Sequence, residues 1–177
     1  MGYLSRSQIQ RLHRLGSVRN ANRVLSDLEP YLNVVKRREY IYTLNAEGRR
    51  RIGVSKAQMR VSQVDHHLMR NQLYIALGCP STWRAEVRLK VADKVSVIAD
   101  ALYTKDGRYV IVEIDNTQKM AANREKIAKY RKLVEMGVFP KPPRFIWLTT
   151  TEYRRKELAR LCEELGEVSA LLISDIY

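Results

Sequence analysis

Cysteine is scarce in this chain, which has only Cys79 and Cys162 and no CxxC spacing. Two such cysteines cannot build a disulfide framework or a four-cysteine zinc site, so we expect two free, buried thiols. Long apolar runs are also missing, since no segment approaches the ~20 apolar residues that cross a bilayer. The N-terminus reaches Arg6 and Arg11 without an apolar run, which predicts no signal peptide. These absences predict a cytoplasmic protein with no membrane partner.

Acidic residues are outnumbered by basic ones. The 177 residues include 32 Lys and Arg against 19 Asp and Glu, a net charge of +13. The excess is greatest in residues 1–60, which hold 13 basic and 4 acidic side chains. A surplus of this size predicts binding to a polyanion through release of its counterions. With 45% hydrophobic residues, the chain can still form one large domain or two small ones.

The first third of the sequence predicts two short helices followed by a basic hairpin. Serines at the starts of segments 5–15 and 17–28 can cap the helices, and apolar residues follow helical spacing in both. Strand-forming residues flank the basic cluster 36–38, and Asn45 can cap a further helical turn. This order resembles a winged helix-turn-helix domain. The run YTLNAEGRRRIG is similar to the Y-x-L-T-x-x-G ending of many bacterial winged-helix regulators.

A polar face on the second predicted helix suggests contact with DNA. Arginine pairs with guanine and asparagine with adenine, and both residue types also bind backbone oxygens. The predicted DNA-binding residues are Arg19, Asn20, Asn22 and Arg23 on the helix and Lys36, Arg37 and Arg38 at the hairpin tip. The alternative is a helical hairpin whose charges form only a solvated face. The arginine-asparagine face together with the basic hairpin favours duplex DNA as the partner.

Three acidic residues near a second hairpin are the strongest chemical signal. Residues 105–108 contain Asp-Gly, which predicts a two-residue type I′ turn and places Asp100 across from Glu113. Asp115, two residues further, points to the same face as Glu113. Such close carboxylates repel one another unless a cation joins them or one keeps a proton.

The apolar segments after residue 80 predict the order β-β-β-α-β-α-β, preceded by a helix that ends near Gly78. Strict alternation would put Val95, Val97 and Ala99 on the same apolar face as Val110, opposite the acids. We therefore expect an α+β chain. A winged helix-turn-helix would occupy residues 1–56, a connecting helix 57–80, and an α/β domain with a mixed sheet 81–177.

This second domain resembles the PD-(D/E)xK nuclease fold. That family has an aspartate on its second strand and Glu-x-Lys on its third, which Asp100 and Glu113 match, whereas Asp115 stands at the lysine position. The resemblance implies a magnesium site at these three acids if the core is catalytic. Lys119 or Lys126 from the following helix would then supply the missing positive charge. Without catalysis, DNA binding requires no cofactor.

The whole pattern resembles the replication-relaxation family of bacterial plasmids and mobile elements, whose corresponding region reads approximately PDA…ExD…T…K…Y. Position 99 is alanine rather than proline. The matching residues are Asp100, Ala101, Glu113, Asp115, Thr117, Lys126 and Tyr130. The resemblance implies a DNA-binding accessory protein of replication or conjugative transfer, with a relaxase or replication protein as a partner and homodimers as an option. The alternatives are a magnesium-dependent endonuclease and a transcriptional repressor.

Overall fold

The computed structural model describes residues 2–54 and 63–177, and it combines α-helices with two β-sheets. The chain divides into two compact units, Met1–Ile75 and Ala76–Tyr177, here called the first unit and the second unit. The mixed α and β class predicted from the sequence is confirmed. Within the described residues no helix is both long and apolar enough to cross a membrane.

The first unit consists of helices and a small antiparallel sheet with strand order β1-β3-β2. The predicted connecting helix corresponds to α4 in its described part, and residues 55–62 lie outside the described residues. The elements in chain order are β1 (Leu4–Ser5), α1 (Arg6–Leu12), α2 (Val18–Asp27), a 3-10 helix (Glu29–Tyr31), β2 (Leu32–Lys36), β3 (Tyr40–Leu44), α3 (Ala46–Arg51) and α4 (Val64–Ala76).

Serine side chains start the first two helices, as predicted. The Ser5 hydroxyl accepts from the Gln8 amide and the Gln8 side chain accepts from the Ser5 amide, which satisfies two helix-end donors reciprocally. The hydroxyl of Ser17 caps α2 in the same way. The prediction that α1 continues to residue 15 is wrong, because Arg14 adopts a left-handed φ of 52° that helical backbone cannot take.

The hairpin of β2 and β3 is held at both ends. Lys36 pairs with Tyr40, which leaves residues 37–39 as the turn. At the other end the Asn45 side chain accepts from the Gly48 amide and begins α3, which confirms the predicted cap. A Cβ on Gly48 would lie 2.3 Å from the carbonyl oxygen of Tyr31, so only glycine lets α3 approach the 3-10 helix this closely.

The core of the first unit lies between the sheet and α4. Tyr3, Ile41 and Val64 form its buried cluster. The side-chain amide of Asn71 donates to the carbonyl oxygen of Tyr3 at 2.6 Å, and that of Gln8 donates to the Leu68 carbonyl oxygen at 2.8 Å. These bonds satisfy a backbone group just before β1 and one of α4, and they fix the position of α4 on the small sheet.

The second unit has a five-stranded mixed sheet in the order β4-β5-β6-β7-β8. The first three strands are antiparallel neighbours, and β7 and β8 continue the sheet in parallel. Its elements are β4 (Arg84–Val91), β5 (Val95–Lys105), β6 (Arg108–Asp115), α5 (Met120–Glu135), β7 (Arg144–Thr149), α6 (Glu152–Leu161), a 3-10 helix (Glu163–Leu165), β8 (Val168–Leu172) and a final 3-10 helix (Ile173–Ile176). The predicted element order of this part of the chain is confirmed.

The turn between β5 and β6 matches the sequence prediction. Lys105 pairs with Arg108, so Asp106 and Gly107 are the two loop residues. Both have positive φ, 52° and 70°, as a type I′ turn requires. The two strands pair as far as Ala101 opposite Val112, the residues next to Asp100 and Glu113.

In the main core of the second unit, the side chains of β5 and β6 do not share faces as the predicted alternation requires. Val95, Val97 and Ala99 pack into the same buried cluster as Leu102 and Ile111, so the predicted face shared with Val110 is wrong. The regular alternation changes near Asp100. The partner strand β4 is also irregular at this point, because Glu86 has a left-handed φ of 55°. A local irregularity of this kind bends a strand and redirects its side chains.

The two thiols have different surroundings. Cys162 is free and buried, as predicted. Cys79 is free but exposed, so its predicted burial is wrong. It follows α4 in a turn where both Gly78 and Cys79 have positive φ, 77° and 56°, and this turn leaves the side chain in solvent.

Candidate functional site

Two of the predicted acidic residues meet on adjacent strands of the second unit. Asp100 lies on β5 and Glu113 on β6. The Glu113 side chain is completely buried, and that of Asp100 is 15% exposed. One Asp100 carboxylate oxygen accepts from the backbone amide of Ile114 at 2.7 Å. This bond fixes the Asp100 side chain beside β6 with its carboxylate next to that of Glu113.

Lys126 and Tyr130 on α5 complete this cluster. They are four residues apart and therefore lie on one face of the helix, toward the sheet. The ammonium group of Lys126 donates to one carboxylate oxygen of Glu113, and the Tyr130 hydroxyl donates to the other. Lys126 also lies 4.0 Å from an oxygen of Asp100. We call Asp100, Glu113, Lys126 and Tyr130 the acid-lysine cluster.

Burial dominates the electrostatics of this cluster. It raises the pKa of Glu113 well above the ordinary value, and the negative charge of Asp100 raises it further. Lys126 and the Tyr130 hydroxyl act in the opposite direction but do not cancel these effects. Burial also raises the pKa of Tyr130, to which the charge of Glu113 adds. The tyrosine therefore remains a hydrogen-bond donor at neutral pH.

Asp115 belongs to a separate set of contacts. It is completely buried and accepts two hydrogen bonds from the Arg154 guanidinium, both at 2.6 Å. It also accepts from Thr149 at 2.9 Å and from the Asn123 amide at 2.8 Å. A bidentate arginine with two further donors saturates both oxygens of the carboxylate. The structure thus gives Asp115 the role of a buried ion-pair partner.

This arrangement does not suit a magnesium ion as it stands. Magnesium prefers octahedral oxygen ligands, but the ammonium of Lys126 already occupies the space beside Asp100 and Glu113. In the described part of the chain no three His, Cys, Asp or Glu residues are grouped to hold a metal ion. Lys119, the other predicted lysine, precedes α5 and is exposed, and no described Asp or Glu forms an ion pair with it.

Arg154, Thr149 and Asn123 were not predicted from the sequence. Thr149 could have been inferred, because the parallel strands β6 and β7 end together and place Thr149 next to Asp115. Asn123 shares the face of α5 that carries Lys126, three residues further on. Arg154 lies 39 residues after Asp115, and nothing local in the sequence connects the two.

The predicted DNA-binding residues of α2 lie on its solvent side. Ala21 and Leu25 are buried, whereas Arg19, Asn22 and Arg23 are exposed. Asn20 is half-buried and mostly engaged locally, since its amide donates to the Leu15 carbonyl at 2.8 Å and its oxygen accepts from Arg23. Asn20 therefore joins α2 to the turn that precedes it.

The basic hairpin tip is fixed to α1 by one acid. Lys36, Arg37 and Arg38 are exposed at the tip, and Arg37 lies 3.4 Å from Asp65. Next to them, the Glu39 carboxylate accepts from the backbone amide and the hydroxyl of Ser7, both at 2.7 Å, and it lies 2.8 Å from the Arg6 guanidinium. A carboxylate at the first turn of a helix also interacts favourably with the helix dipole.

Comparison with known proteins adds a family to these observations. No protein of curated function matches the chain. A solved structure with some similarity is protein VC1899 from Vibrio cholerae, at 16% sequence identity and a TM-score of 0.47. The match covers 91% of this chain but only 40% of the Vibrio protein. The sequence profile of the replication-relaxation family matches residues 1–147. The chain therefore belongs to the replication-relaxation family.

Proposed function

We propose that this protein is a DNA-binding accessory factor in the replication or conjugative transfer of a plasmid or mobile element. In this proposal the first unit is a winged helix-turn-helix that binds duplex DNA. The second unit is a nuclease-like domain that has no catalytic role and instead contacts DNA or a partner protein. Family membership supports the biological setting, and the charges of the first unit support the ligand.

The observation that carries the proposal is the attachment of the basic hairpin to the helix pair. Glu39 connects the hairpin to Ser7 and Arg6 of α1, while Asn20 holds α2 against the turn after α1. The cationic tip and the exposed arginines of α2 are thus parts of one small framework. Fixed donors bind a polyanion with less loss of conformational entropy than mobile ones.

The two cationic regions would have different tasks. In proteins of this class the second helix of the pair enters the major groove, where arginine and asparagine contact base edges. Arg19 and Arg23 would therefore contribute to sequence preference. Lys36, Arg37 and Arg38 would contact the phosphates beside this groove and would add affinity without preference.

The contacts of the acids support a non-catalytic second unit. A nuclease of the resembled type needs carboxylates that are free to bind metal ions. Here Lys126 and Tyr130 bind both oxygens of Glu113, and Arg154 binds both oxygens of Asp115. Internal hydrogen-bonding partners on both acids favour a structural role. Homodimer formation and a relaxase or replication protein as a partner belong to the same proposal.

Sequence preference can be tested with duplexes selected from a randomised pool. We expect Arg19→Ala and Arg23→Ala to weaken binding to a selected duplex by about 10-fold or more, corresponding to ~1–3 kcal/mol per base contact, and to weaken random duplex less. Lys36→Ala, which also removes one exposed cation, is the matched control and should weaken both duplexes alike. Equal losses on both duplexes for all three variants would refute base reading by α2.

Catalysis can be tested separately on supercoiled plasmid. We expect the plasmid to remain intact with the protein in magnesium or manganese, because Lys126, Tyr130 and Arg154 occupy the carboxyl oxygens of Glu113 and Asp115. Nicking by the wild type that disappears in the Asp100→Ala, Glu113→Ala double variant would show instead that the second unit is an endonuclease. The untreated plasmid and the double variant control for a contaminating nuclease.

A further inference from the structure

We propose that the second unit also binds single-stranded DNA, in a groove between the edge strand β4 and helix α5. Two pockets of about 280 Å³ and 310 Å³ share Lys90 as a lining residue and together form this edge groove. Its cationic side chains are Arg84, Arg88, Lys90, Lys94, Lys129 and Lys132. The proposal concerns the second unit alone and does not depend on duplex binding by the first.

The charge of the edge groove is strongly one-sided. Among the described residues that line the two pockets, Asp93 is the single acid. It lies 3.4 Å from Lys90, and Glu125 lies 2.7 Å from Lys129. The other four cations form no ion pair with any described residue. Unpaired cations that line one groove attract a polyanion whose phosphates can replace the missing partners.

An apolar floor beneath these cations distinguishes the edge groove from an ordinary charged surface. Leu102 and Leu133 line the 280 Å³ pocket of the groove, together with the half-buried rings of Tyr109 and Phe139. The centroids of these two rings are 6.2 Å apart in an edge-to-face arrangement. Proteins that bind single strands combine a cationic track for phosphates with aromatic side chains for the bases.

The apolar and aromatic residues of the edge groove favour a single-stranded ligand over a duplex. In a duplex the bases are stacked inside the helix and cannot reach a ring at the bottom of a groove, whereas an unpaired strand can turn its bases toward it. The smaller pocket has a volume of about 280 Å³, close to the lower limit of ~300 Å³ for small-ligand pockets. A single base with its sugar is therefore a suitable occupant, and the lysines beside it would hold the following phosphates.

The experiment measures binding of the full-length protein to labelled oligo(dT) of about 20 nucleotides, longer than the ~4–16 nucleotides that one such domain covers. We expect Arg88→Ala combined with Lys132→Ala to raise Kd by about 10-fold and to reduce the salt-dependence slope by about 1.4, or about 0.7 per lost phosphate contact. Lys156→Ala with Arg160→Ala on α6 removes the same charge from exposed positions and should change Kd less than about twofold.

A second variant tests whether the bases stack on the aromatic rings of the edge groove. Phe139→Leu keeps an apolar side chain but removes the ring, so binding to oligo(dT) should weaken about fivefold or more. Binding to an abasic strand of the same length should not change. Equal losses on both strands would overturn base stacking in the edge groove, and so would tighter binding of oligo(U) than of oligo(dT) by more than about 10-fold.

The assay also separates this proposal from the proposed function. Arg19→Ala with Arg23→Ala in the first unit should weaken duplex binding and leave oligo(dT) binding unchanged. If this variant loses oligo(dT) binding while the Arg88→Ala, Lys132→Ala variant retains it, single strands bind to the first unit and the edge groove is not their site. Absence of oligo(dT) binding by the wild type would likewise overturn the proposal, whatever the result with duplex.

Discussion

At the scale of single residues, Glu113 has the most unusual environment in the described chain. Its carboxyl group is completely buried beside Asp100, yet Lys126 and Tyr130 both donate to it. Removing a carboxylate from water costs several kcal/mol, on the order of what one nearby cation returns. The raised pKa of Glu113 means that burial and Asp100 prevail over Lys126. The folded protein therefore binds a proton at Glu113 more tightly than the unfolded chain does.

This proton affinity predicts a pH dependence of stability. In the unfolded chain Glu113 titrates near 4.5. Its contribution to folding is fully present below that pH and is lost as the pH rises to its higher folded pKa, at about 1.4 kcal/mol per unit. The neutral variant Glu113→Gln should gain stability over the wild type across this window. Urea denaturation between pH 4.5 and pH 8 measures the difference.

Asp100→Asn serves as a second variant for the same measurement. It removes the neighbouring charge but keeps an oxygen that can accept from the Ile114 amide. The pKa of Glu113 should then fall toward its ordinary value, and the pH dependence should become shallower. A Glu113→Gln variant that loses stability relative to the wild type as the pH rises would show that attraction to Lys126 outweighs burial.

The acid pair was predictable from the sequence, but the partners of Asp115 were not. The Asp-Gly turn fixes the register between β5 and β6, which is enough to place Asp100 beside Glu113. Arg154 reaches Asp115 from a helix 39 residues away, and its direction depends on how α6 packs against the sheet. Packing of this kind leaves no periodic trace in the sequence. Lys126 was predicted from the family resemblance, and the structure shows that its ammonium group contacts Glu113.

At the scale of elements, the first unit depends on contacts that couple its hairpin to its helices. The Glu39 side chain is 28% exposed and receives donors from Arg6 and from two atoms of Ser7. Hydrogen bonds that involve a charged group are worth about 1.5–3 kcal/mol. The hairpin therefore has a strong connection to α1 beyond its strand pairing.

We expect Glu39→Ala to destabilise the first unit by about 1–2 kcal/mol, because it leaves the Ser7 amide and Arg6 without this acceptor. Amide hydrogen exchange in β2 and β3 should become faster as the hairpin loses its attachment. Glu47→Ala on α3 is the matched control, since Glu47 is exposed and pairs with Arg50 within one helix turn. The control should cost less than about 0.5 kcal/mol. Similar losses in both variants would contradict an anchoring role for Glu39.

The elements themselves followed closely from sequence patterns, with two informative exceptions. Strand β1 has only Leu4 and Ser5, too short for any alternation, and its pairing with β3 depends on tertiary contacts. The second exception is β5, where a simple alternation of faces fails near Asp100 opposite the irregular Glu86. A single residue with left-handed φ can interrupt the alternation of side chains between the two faces of a strand. Glutamate is not a residue type that predicts such a conformation.

At the scale of the whole molecule, charge is the property that the sequence predicts most directly. The net charge of +13 and its excess in residues 1–60 require no structure to recognise. Composition cannot predict where basic side chains lie next to apolar and aromatic ones. The edge groove brings together β4, α5 and the aromatic pair Tyr109 and Phe139, which are distant in the sequence and are joined by the folding of the second unit.

The salt dependence of duplex binding tests the central claim, that cations of the first unit bind duplex DNA. The logarithm of the association constant should fall linearly with the logarithm of salt concentration, with a slope of about −3 or steeper if Lys36, Arg37 and Arg38 each contact a phosphate. Replacing all three by alanine should reduce the magnitude of this slope by about 2.7. Duplex association that is absent, or that does not change with salt, would contradict the account.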